Sequence, residues 1–503
     1  MLNIRLLKKT LGDESSYKGI RFQQASNFDE TMFTCDREAL KEKIKSYYHD
    51  VNEDLPKLSL SKLSQSNSRV VVTGQQAGIL GGPLYTILKI ISTINWSYEL
   101  EKSSGIPYIP VFWNATEDHD YSEIGWFNGI DSSWKANLYK EGNACEKLET
   151  TPDFFAQLNS EIQKLPVLYR DEILSLVSNQ QNNYGHFSSS FLMKLFKETP
   201  LVIIEPYIFR EGNADFFEKV LNKQSEIITS LQSNGTNLNK FYFEPEEEQT
   251  GLFYIDESGQ RISILQSING LQVAGEHIPK GRITEWLLRH EKQISTSAFI
   301  RPVFQNYVLP VELYVGGPGE VAYHQQIVDI YGILGVNKCK LTFRNHATLI
   351  PYQVHKLISK FAISDIHLFC TYDEYLAQYY EYSHIQGKDH IELLTNKQYQ
   401  MVQQILKEEN LNETDNLLVF YQRELSKLNQ RFAKKAARLN FDQNVGKRQI
   451  LKTIFDCCYP GVPQERKLNI LYFIGVYGPQ LIPALVKQLN PLEKHHYLIE
   501  LMP

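Results

Sequence analysis

The 503-residue sequence has no uninterrupted apolar run of the ~20 residues that a membrane helix requires. We do not expect a secretory leader at residues 1–9, because the first apolar stretch is short and is broken by Arg5, Lys8 and Lys9. Long basic blocks are absent and the net charge is −6, which argues against nucleic acid as a partner. We therefore predict a cytoplasmic protein that binds neither a membrane nor a nucleic acid.

Cysteine is scarce, with six residues in the whole chain and no C-x-x-C spacing among them. A structural zinc site is therefore not expected, no metal ligands are assigned, and all six thiols are predicted to be reduced. Neither the 42% hydrophobic nor the 22% charged fraction is unusual for a globular protein, and 29 tyrosines and 26 phenylalanines exclude a disordered chain. The length predicts two to four structural units.

Two common phosphate-binding patterns are also missing from the most informative segment, residues 70–86. Three valines, Val70 to Val72, lead into a loop with four glycines, and an amphipathic helix is predicted from Leu84 to Lys102. The loop lacks the Gly-Lys-Ser/Thr of a Walker A sequence and the G-x-G-x-x-G spacing. A strand, a glycine loop and a helix in this order let backbone N–H groups approach an anion. The alternative is that the glycines serve packing alone.

A second strand is predicted from Ile106 to Trp113, and it leads into the acidic sequence Glu117-Asp118-His119-Asp120. The strand–helix–strand order predicts a right-handed parallel crossover. Because ligands bind beyond the carboxyl ends of parallel strands, the glycine loop and the acidic sequence should open on the same edge. This convergence is the sequence argument for a site.

A second strand–glycine loop–helix passage follows later in the chain. Strand Leu313–Val315 precedes Gly316-Gly317-Pro318-Gly319-Glu320, a helix is predicted to about Leu334, and a further strand ends at Arg344. We predict an α/β fold with a Rossmann-like parallel core that is interrupted by insertions. The predicted boundaries are 1–124 for an N-terminal segment and the first half of the core, 125–200 for a helical insertion, 201–232 for a further stretch of the core, 233–298 for a small α+β insertion, 299–360 for the second half of the core, 361–455 for a helical coiled-coil arm and 456–503 for a helical C-terminal segment.

The predicted arm has a coiled-coil pattern. Tyr421, Leu425, Leu428, Phe432 and Leu439 recur at close to 3.5 residues and should pair with a helix near residues 391–407. Such a seam closes within one chain or between two chains, and we expect a homodimer.

These motifs together resemble the bacillithiol-biosynthesis cysteine-adding enzymes, or cysteine ligases. The resemblance covers nearly the whole chain and rests on Thr73-Gly74-Gln75-Gln76-x-Gly78, Gly81 to Thr86, Pro110 to Trp113, Ala115 to Asp120, Arg301-Pro302-Val303, Tyr314 to Tyr323 and Gln464-Glu465-Arg466. It implies a core like that of class I aminoacyl-tRNA synthetases with connective-peptide insertions, and a C-terminal coiled coil used for dimerisation. It also implies the last step of bacillithiol assembly, in which cysteine is joined to the amine of glucosaminyl malate. Asn306 and Ala77 depart from the family pattern.

Amide formation from a carboxylate requires activation, so ATP or ADP, with Mg²⁺ as the companion of ATP, is the expected nucleotide. The predicted catalytic residues are His119 as general base, Asp118 and Asp120 as groups that could orient it, and Gln75 as a polar group of the loop. Lys89 lies about two helical turns along the helix, too far for a phosphate contact by this reasoning. A buried histidine that fixes the loop is the simpler alternative for His119.

The predicted substrate- and nucleotide-binding residues come from both glycine loops and the neighbouring strand ends. Arg301 and Arg344 are proposed as anion clamps, although each could equally form a structural ion pair, and Glu320 could simply favour the start of its helix. The full set is Thr73, Gly74, Gln76, Gly78, Gly82, Tyr85, Asn114, Thr116, Glu117, Arg301, Gln305, Gly316, Gly317, Gly319, Glu320, Tyr323 and Arg344.

Two other functions remain open from the sequence. The first is a metal-assisted hydrolase or transferase that uses the Asp118–Asp120 cluster. The second is a non-catalytic, nucleotide-binding scaffold protein whose coiled-coil arm makes the functional contacts.

Overall fold

A computed structural model describes residues 4–11, 33, 36–118, 120, 124–129, 133–136, 138, 142–165, 168–177, 181–386, 388–409, 415–493 and 495–502. The chain divides into two compact units, which are Met1–Leu349 with Glu465–Pro503, and Ile350–Gln464.

The strands are β1 Ile4–Leu11, β2 Arg69–Gln76, β3 Tyr108–Ala115, β4 Trp126–Asn128, β5 Ser133–Lys135, β6 Val202–Ile204, β7 Gln249–Ile255, β8 Arg261–Ser267, β9 Gly270–Val273, β10 Glu276–Pro279, β11 Ile294–Thr296, β12 Val311–Gly316, β13 Lys340–Phe343, β14 His346–Pro351 and β15 His495–Leu501. The α-helices before the second unit are α1 Arg37–Val51, α2 Lys57–Leu63, α3 Leu84–Ser104, α4 Pro152–Lys164, α5 Arg170–Leu176, α6 Tyr184–Leu195, α7 Ala214–Asn222, α8 Gln224–Asn237, α9 Ile283–His290, α10 Arg301–Val308, α11 Pro318–Gln326 and α12 Ile330–Leu334. They continue as α13 Tyr352–Lys360, α14 Tyr372–Gln386, α15 Lys388–Glu408, α16 Asp415–Gln443, α17 Val445–Cys458, α18 Gln464–Lys467, α19 Ile470–Tyr477 and α20 Leu481–Gln488.

The centre of the first unit is a five-stranded sheet in the order β13-β12-β2-β3-β6, and the neighbouring strands are parallel. Val70, Val71 and Val72 of β2 are completely buried, as is usual for a strand covered on both faces. Helix α3 covers this strand with Ile87, Ile90 and other isoleucines and ends at Gly105, whose φ is 72°. Tyr98, which the helical periodicity assigns to the same buried face, is half exposed.

Three smaller sheets complete the first unit. The insertion predicted for 233–298 forms an antiparallel sheet in the order β10-β9-β8-β7-β11, β4 and β5 form a hairpin, and β1, β15 and β14 form a three-stranded sheet. The predicted helical C-terminal segment therefore ends in a strand, because β15 pairs antiparallel with β1. The predicted helix from Val321 to Leu334 is two helices, α11 and α12.

The second unit is helical, and α15 packs against α16 as the arm prediction requires. Within this chain, only part of the predicted seam is buried. Leu425 is buried, but Leu428, Phe432 and Leu439 are 61%, 70% and 54% exposed. The buried line of α16 instead contains Leu418, Leu425 and Asn429, and the Asn429 amide donates a hydrogen bond to Thr395 Oγ1 at 2.9 Å.

Of the helices in the described part of the chain, none alone has the length and apolar composition to cross a bilayer. One pair bent by 111°, α19 with α20, meets both criteria only when its two helices are taken together.

Candidate active site

The candidate site lies where the chain reverses the direction in which it adds strands to the parallel sheet. From β2 the chain builds β3 and β6 on one side, and it then returns to build β12 and β13 on the other. In open parallel sheets, ligands bind beyond the carboxyl ends of the strands at such a switch point. Strands β2 and β12 carry the two predicted glycine loops at their carboxyl ends and are neighbours in the sheet. The two loops therefore meet where this fold class places its ligand.

The first glycine loop is closed tightly upon itself. A Cβ atom on Gly78 would lie 2.5 Å from the Cα of Gly82, so only glycine fits at residue 78. Leu80 has a φ of 49°, which is rare for a residue with a side chain. The side-chain nitrogen of Asn469 lies 3.2, 3.0 and 2.9 Å from the carbonyl oxygens of Ile79, Leu80 and Gly82. A C-terminal residue thus fixes the shape of this loop.

Lys89 joins the two glycine loops. Its Nζ donates to the carbonyl of Gly74 at 3.0 Å and to Oε1 of Gln75 at 2.7 Å, both in the first loop. The same Nζ lies 2.5 Å from Oε2 of Glu320, which also accepts a hydrogen bond from the Gly317 backbone N–H at 2.7 Å. Lys89 was expected to lie too far along its helix for a phosphate contact at the first loop. Its Nζ nevertheless reaches that loop, because helical side chains point back toward the N-terminus.

Burial has opposite effects on the two members of this ion pair. It lowers the pKa of Lys89 below its ordinary value, although Glu320 opposes the shift. Burial would raise the pKa of Glu320, but Lys89 and the Gly317 N–H hold it below its ordinary value. Glu320 has the helix-start role that was its alternative, because its carboxylate accepts a hydrogen bond from the N-cap N–H of Gly317 at the start of α11. Its role in binding stays a prediction.

The acidic sequence after β3 is joined directly to the first loop. The Gln76 amide donates to Oδ2 of Asp118 at 3.2 Å, and Asp118 Oδ1 accepts from the backbone N–H of Asp120 at 3.2 Å. Burial would raise the pKa of Asp118, but Arg261 and Arg301 hold it below its ordinary value. The predicted meeting of the loop and the acidic sequence at one edge is therefore present. His119 itself lies outside the described residues.

Arg261 reaches this edge from the small antiparallel insertion. Its guanidinium donates to Ser295 Oγ at 3.1 Å and to the Thr296 carbonyl at 2.6 Å, and it lies 4.1 Å from the ring centroid of Phe253. This residue was not predicted, because no sequence pattern links residue 261 to residue 118. Its role is visible only once the insertion is folded against the sheet edge.

Glu117 belongs to a buried ion-pair network. Arg210 makes two short contacts to Glu146, at 2.6 and 2.8 Å, and a longer one of 3.5 Å to Glu117. Thr296 donates to the other Glu117 oxygen at 3.2 Å. Arg210 and Glu117 are both almost completely buried, so this predicted binding residue has a structural ion pair.

Three further predicted binding residues are buried and hydrogen-bonded within the protein. Each fixes a strand end to its surroundings. The hydrogen bonds are Thr73 Oγ1 to the Val315 carbonyl at 2.7 Å, Asn114 Nδ2 to Ser189 Oγ at 2.9 Å, and Thr116 Oγ1 to Glu205 Oε2 at 2.9 Å.

Arg301 lies among aromatic and acidic groups at the start of α10. Its electrostatic neighbours are Tyr323, Tyr314, Glu117 and Asp118. Burial and Glu320 raise the pKa of Tyr323 to about 12, so its hydroxyl stays protonated at neutral pH.

Two buried polar side chains, Gln305 and His324, lie near Arg301. Gln305 is 3% exposed and lies one helical turn after Arg301 on α10. Burial lowers the pKa of His324 to about 3, and its Nε2 is unpaired among the described residues. The His324 ring packs against the Tyr314 ring with centroids 4.6 Å apart. This neutral imidazole was not predicted from the sequence.

The remaining predicted residues lie at one or the other of the two glycine loops. The Gln75 amide donates to the Tyr85 hydroxyl at 3.1 Å, which fixes that ring beside the first loop. A Cβ on Gly316 would lie 3.1 Å from the Tyr314 ring, whereas nothing lies within 4 Å of the Cβ position of Gly319.

Arg344 forms the ion pair that was the alternative to an anion clamp. Its two terminal nitrogens lie 2.9 and 2.7 Å from the two carboxylate oxygens of Glu465, and both residues are buried. His346 Nδ1 lies 2.8 Å from the same carboxylate. No local pattern could identify this pair, since its members are 121 residues apart.

Among the residues that the structure describes, no group of three or more His, Cys, Asp or Glu residues is placed to hold a metal ion. The five described cysteines, Cys145, Cys339, Cys370, Cys457 and Cys458, are free thiols.

Comparison with known proteins gives the family. Residues 11–345 match the model for "Bacillithiol biosynthesis BshC, N-terminal Rossmann-like domain", and residues 347–501 match "Bacillithiol biosynthesis BshC, C-terminal coiled-coil domain". The chain belongs to the BshC family. The resemblance and the Rossmann-like and coiled-coil fold predicted from the motifs are thereby confirmed.

Curated BshC relatives extend over most of the chain. A protein from Heliobacterium modesticaldum is 28% identical over 85% of this chain and 82% of its own length. One from Flavobacterium johnsoniae is 27% identical over 95% of this chain and 91% of its own. Both are named "Putative cysteine ligase BshC".

One solved structure, titled as a "putative arginyl t-RNA synthetase" from Campylobacter jejuni, covers 86% of this chain and 100% of its own. Its identity of 11% and TM-score of 0.24 are too low to support an argument about this BshC chain.

Proposed function

We propose that this BshC protein is a ligase that joins cysteine to the amine of glucosaminyl malate, the last step of bacillithiol biosynthesis. Family membership and the names of the relatives support a cysteine ligase. The observation that carries the proposal is the Lys89 bridge, which unites both glycine loops at the switch point of the sheet. The same edge holds Asp118 within hydrogen-bond reach of Gln76.

The reaction requires activation of a carboxylate, which we assign to a nucleotide. Phosphoryl or adenylyl transfer to a carboxylate oxygen makes that oxygen a leaving group. The amine nitrogen then attacks the carboxyl carbon, the C–N bond forms, and the C–O bond to phosphate or AMP breaks. One proton leaves the attacking nitrogen, so a base and a site for negative charge are both needed.

The described residues suggest how these tasks are divided. Arg301 and Arg261 place positive charge beside Asp118 and are the proposed partners of substrate carboxylates or nucleotide phosphates. Because its pKa is lowered, Asp118 stays ionised at neutral pH and is better suited to hold an ammonium group than to accept a proton. His119 remains the proposed base, from the chemistry of imidazole.

The decisive experiment incubates purified protein with glucosaminyl malate, cysteine, ATP and Mg²⁺ and follows the products by mass spectrometry. We expect bacillithiol together with AMP or ADP, and the nucleotide formed identifies the activated intermediate. Activity without ATP would contradict nucleotide activation alone, whereas no product under any condition would contradict the ligase itself.

A matched pair of glutamine variants tests the site. Gln75→Ala removes a ligand of Lys89 and a donor to Tyr85, so we expect kcat/KM to fall about 100-fold, as for other losses of a positioned polar group. Gln163→Ala changes an exposed glutamine of α4 and should leave the rate unchanged. Equal rates for both variants would exclude the first glycine loop from the reaction.

In cells, deletion of the gene should cause glucosaminyl malate to accumulate. Normal bacillithiol after a clean deletion would contradict the proposal. The family match favours the ligase over the metal-assisted and scaffold hypotheses.

We also propose a homodimer, formed through the exposed apolar residues of α16. Leu428, Phe432 and Leu439 are four and seven residues apart and more than half exposed, which resembles a coiled-coil seam without its partner helix. Phe432→Glu should convert the dimer to a monomer in sedimentation velocity, whereas Gln430→Glu on the same helix should not. A monomeric wild-type protein at micromolar concentration would contradict this proposal.

A further inference from the structure

A second cavity, of about 940 Å³, lies away from the parallel sheet in the small insertion. Its walls are helix α8 on one side and, on the other, residues 247–248, the end of β8 with the turn that follows it, and His277 of β10. Strand β8 begins at Arg261, next to the candidate active site, and ends at Ser267 in this cavity. Six residues of strand span roughly 20 Å, so the cavity is a separate site.

The lining is unusually rich in uncharged hydrogen-bonding side chains. Two carboxylates, Glu247 and Glu248, and the imidazole of His277 accompany them, and the lining contains neither lysine nor arginine. A phosphate or carboxylate would meet two carboxylates with no lysine or arginine to balance them. The uncharged polar residues are Gln224, Ser225, Thr229, Gln232, Gln266, Ser267 and Asn269.

Two polar atoms in this wall have no hydrogen-bond partner within the described ranges. Gln266 Oε1 and Ser267 Oγ are both buried at the level of the atom and unpaired. Buried polar atoms in proteins almost always have a partner, which here would be a water molecule or a bound ligand. Both residues lie at the end of β8 and line the cavity.

The cavity also offers apolar contact. Ile228 of α8 is nearly buried, and Ile268, at the tip of the β8–β9 hairpin, is fully exposed at 100%. Hydroxyl-binding amides beside small apolar surfaces suit the polar edge and the C–H face of a sugar ring. A sugar with an ammonium group would in addition be attracted by the two carboxylates.

We propose that this cavity, which we call the insertion groove, binds a sugar that carries hydroxyl groups and an amine but no phosphate or carboxylate. This site goes beyond the ligase function and does not depend on it. The composition of the groove is the basis of the assignment.

The test titrates the full-length protein calorimetrically with glucosamine, glucose and glucose 6-phosphate. We expect glucosamine to bind about tenfold more tightly than glucose, because two carboxylates favour its ammonium group, and glucose 6-phosphate to bind most weakly. Glucose 6-phosphate binding as tightly as glucosamine, or no binding of any of the three at 10 mM (about 3 kcal/mol of affinity), would overturn the proposal.

Three variants locate the binding. Gln266→Ala with Ser267→Ala should weaken glucosamine binding about tenfold, whereas Ser263→Ala, on the same strand but outside the groove, should not. Glu248→Gln should reduce the preference for glucosamine over glucose without weakening glucose binding. If the double variant does not fold, Asn269→Ala at the hairpin tip replaces it. Unchanged glucosamine affinity in the folded groove variants would overturn the assignment, whatever the ligase assay shows.

Discussion

At the scale of single residues, Lys89 combines a structural and a functional position. Its ammonium group is buried and contacts the Gly74 carbonyl, Gln75 and Glu320. Glu320 in turn accepts a hydrogen bond from the Gly317 N–H. A charge buried in this way is tolerated only when its partner and its hydrogen bonds are complete. The pair therefore holds the two glycine loops at a fixed separation.

Removal of the Lys89 ammonium group should lower the free energy of unfolding, and a second substitution at Glu320 should recover part of the loss. Lys89→Met leaves the Glu320 carboxylate without its ion partner, and we expect the free energy of unfolding to fall by about 3 kcal/mol. Adding Glu320→Gln should recover about 1 kcal/mol or more, because the unpaired charge is gone. Urea unfolding of the two single variants and the double variant measures the coupling. Strictly additive losses would show that the two side chains do not interact.

Glu465 makes the stability of the first unit sensitive to acid. Burial would raise the pKa of Glu465, but Arg344 and His346 hold it well below its ordinary value of 4.5. In the unfolded chain Glu465 takes up a proton near pH 4.5, whereas in the folded protein it does so only at lower pH. The stabilisation is therefore complete above about pH 4.5 and is lost as the pH falls through the folded pKa.

Glu465→Gln should lower stability by about 3 kcal/mol at pH 7 and make the loss between pH 5 and pH 3 shallower. Urea midpoints at several pH values measure both effects. Glu257→Gln, at an exposed carboxylate, is the control and should reproduce the wild-type profile. An acid profile as steep as that of the wild type would show that Glu465 is not the titrating group.

At the scale of elements, the first glycine loop depends on one close approach. Gly78→Ala places a Cβ 2.5 Å from the Cα of Gly82, so the loop must open. We expect a loss of about 2 kcal/mol or more in stability, together with loss of ligase activity. Gly319→Ala adds a methyl group to open space in the first turn of α11 and should be neutral or stabilising by up to about 1 kcal/mol. Equal thermal stability of the two variants would contradict this account of the loop.

The elements of the core were predictable because their signals are local. Three consecutive valines, a glycine loop and isoleucines at helical spacing define β2 and α3 without reference to distant residues. The same is true of β12 and its loop. Their meeting at one edge followed from the parallel direction of the strands, whose carboxyl ends lie at the same edge of the sheet.

The coiled-coil seam was not predictable in the same way. A period of 3.5 residues identifies apolar stripes, but it does not say which stripe of α16 faces the neighbouring helix of its own chain. Leu428 and Phe432 fit the period as well as Leu425 does, yet only Leu425 is buried. The buried amide of Asn429, paired with Thr395, selects the observed face.

Pairs between distant segments account for most of the site that the sequence analysis overlooked. Asn469 closes a loop nearly 390 residues before it, and Arg261 reaches Asp118 from an insertion. Lys89 was a different case, because its position was known and only the direction of its side chain was misjudged.

At the scale of the whole molecule, the two ends of the chain complete one core. Strand β15 pairs with β1, Asn469 fixes the first glycine loop, and Glu465 binds Arg344. Among the described residues, the large buried core of the first unit contains none from the segment 350–464. The first unit therefore has a continuous interior that does not require the helical arm.

This organisation predicts that the arm can be removed without unfolding the rest. The ends of the excised segment are close, since the Ala347 N–H lies 3.4 Å from a carboxylate oxygen of Glu465. A flexible linker of about eight residues spans roughly 15 Å and should replace residues 350–464 without strain. We expect the shortened protein to unfold in one cooperative thermal transition with the near-ultraviolet circular dichroism of a packed core. A broad transition with exposed hydrophobic surface would instead show that the arm is needed for the first unit to fold. In the shortened chain, Arg344→Ala should lower the transition temperature, because it removes the arginine partner of the buried Glu465 carboxylate.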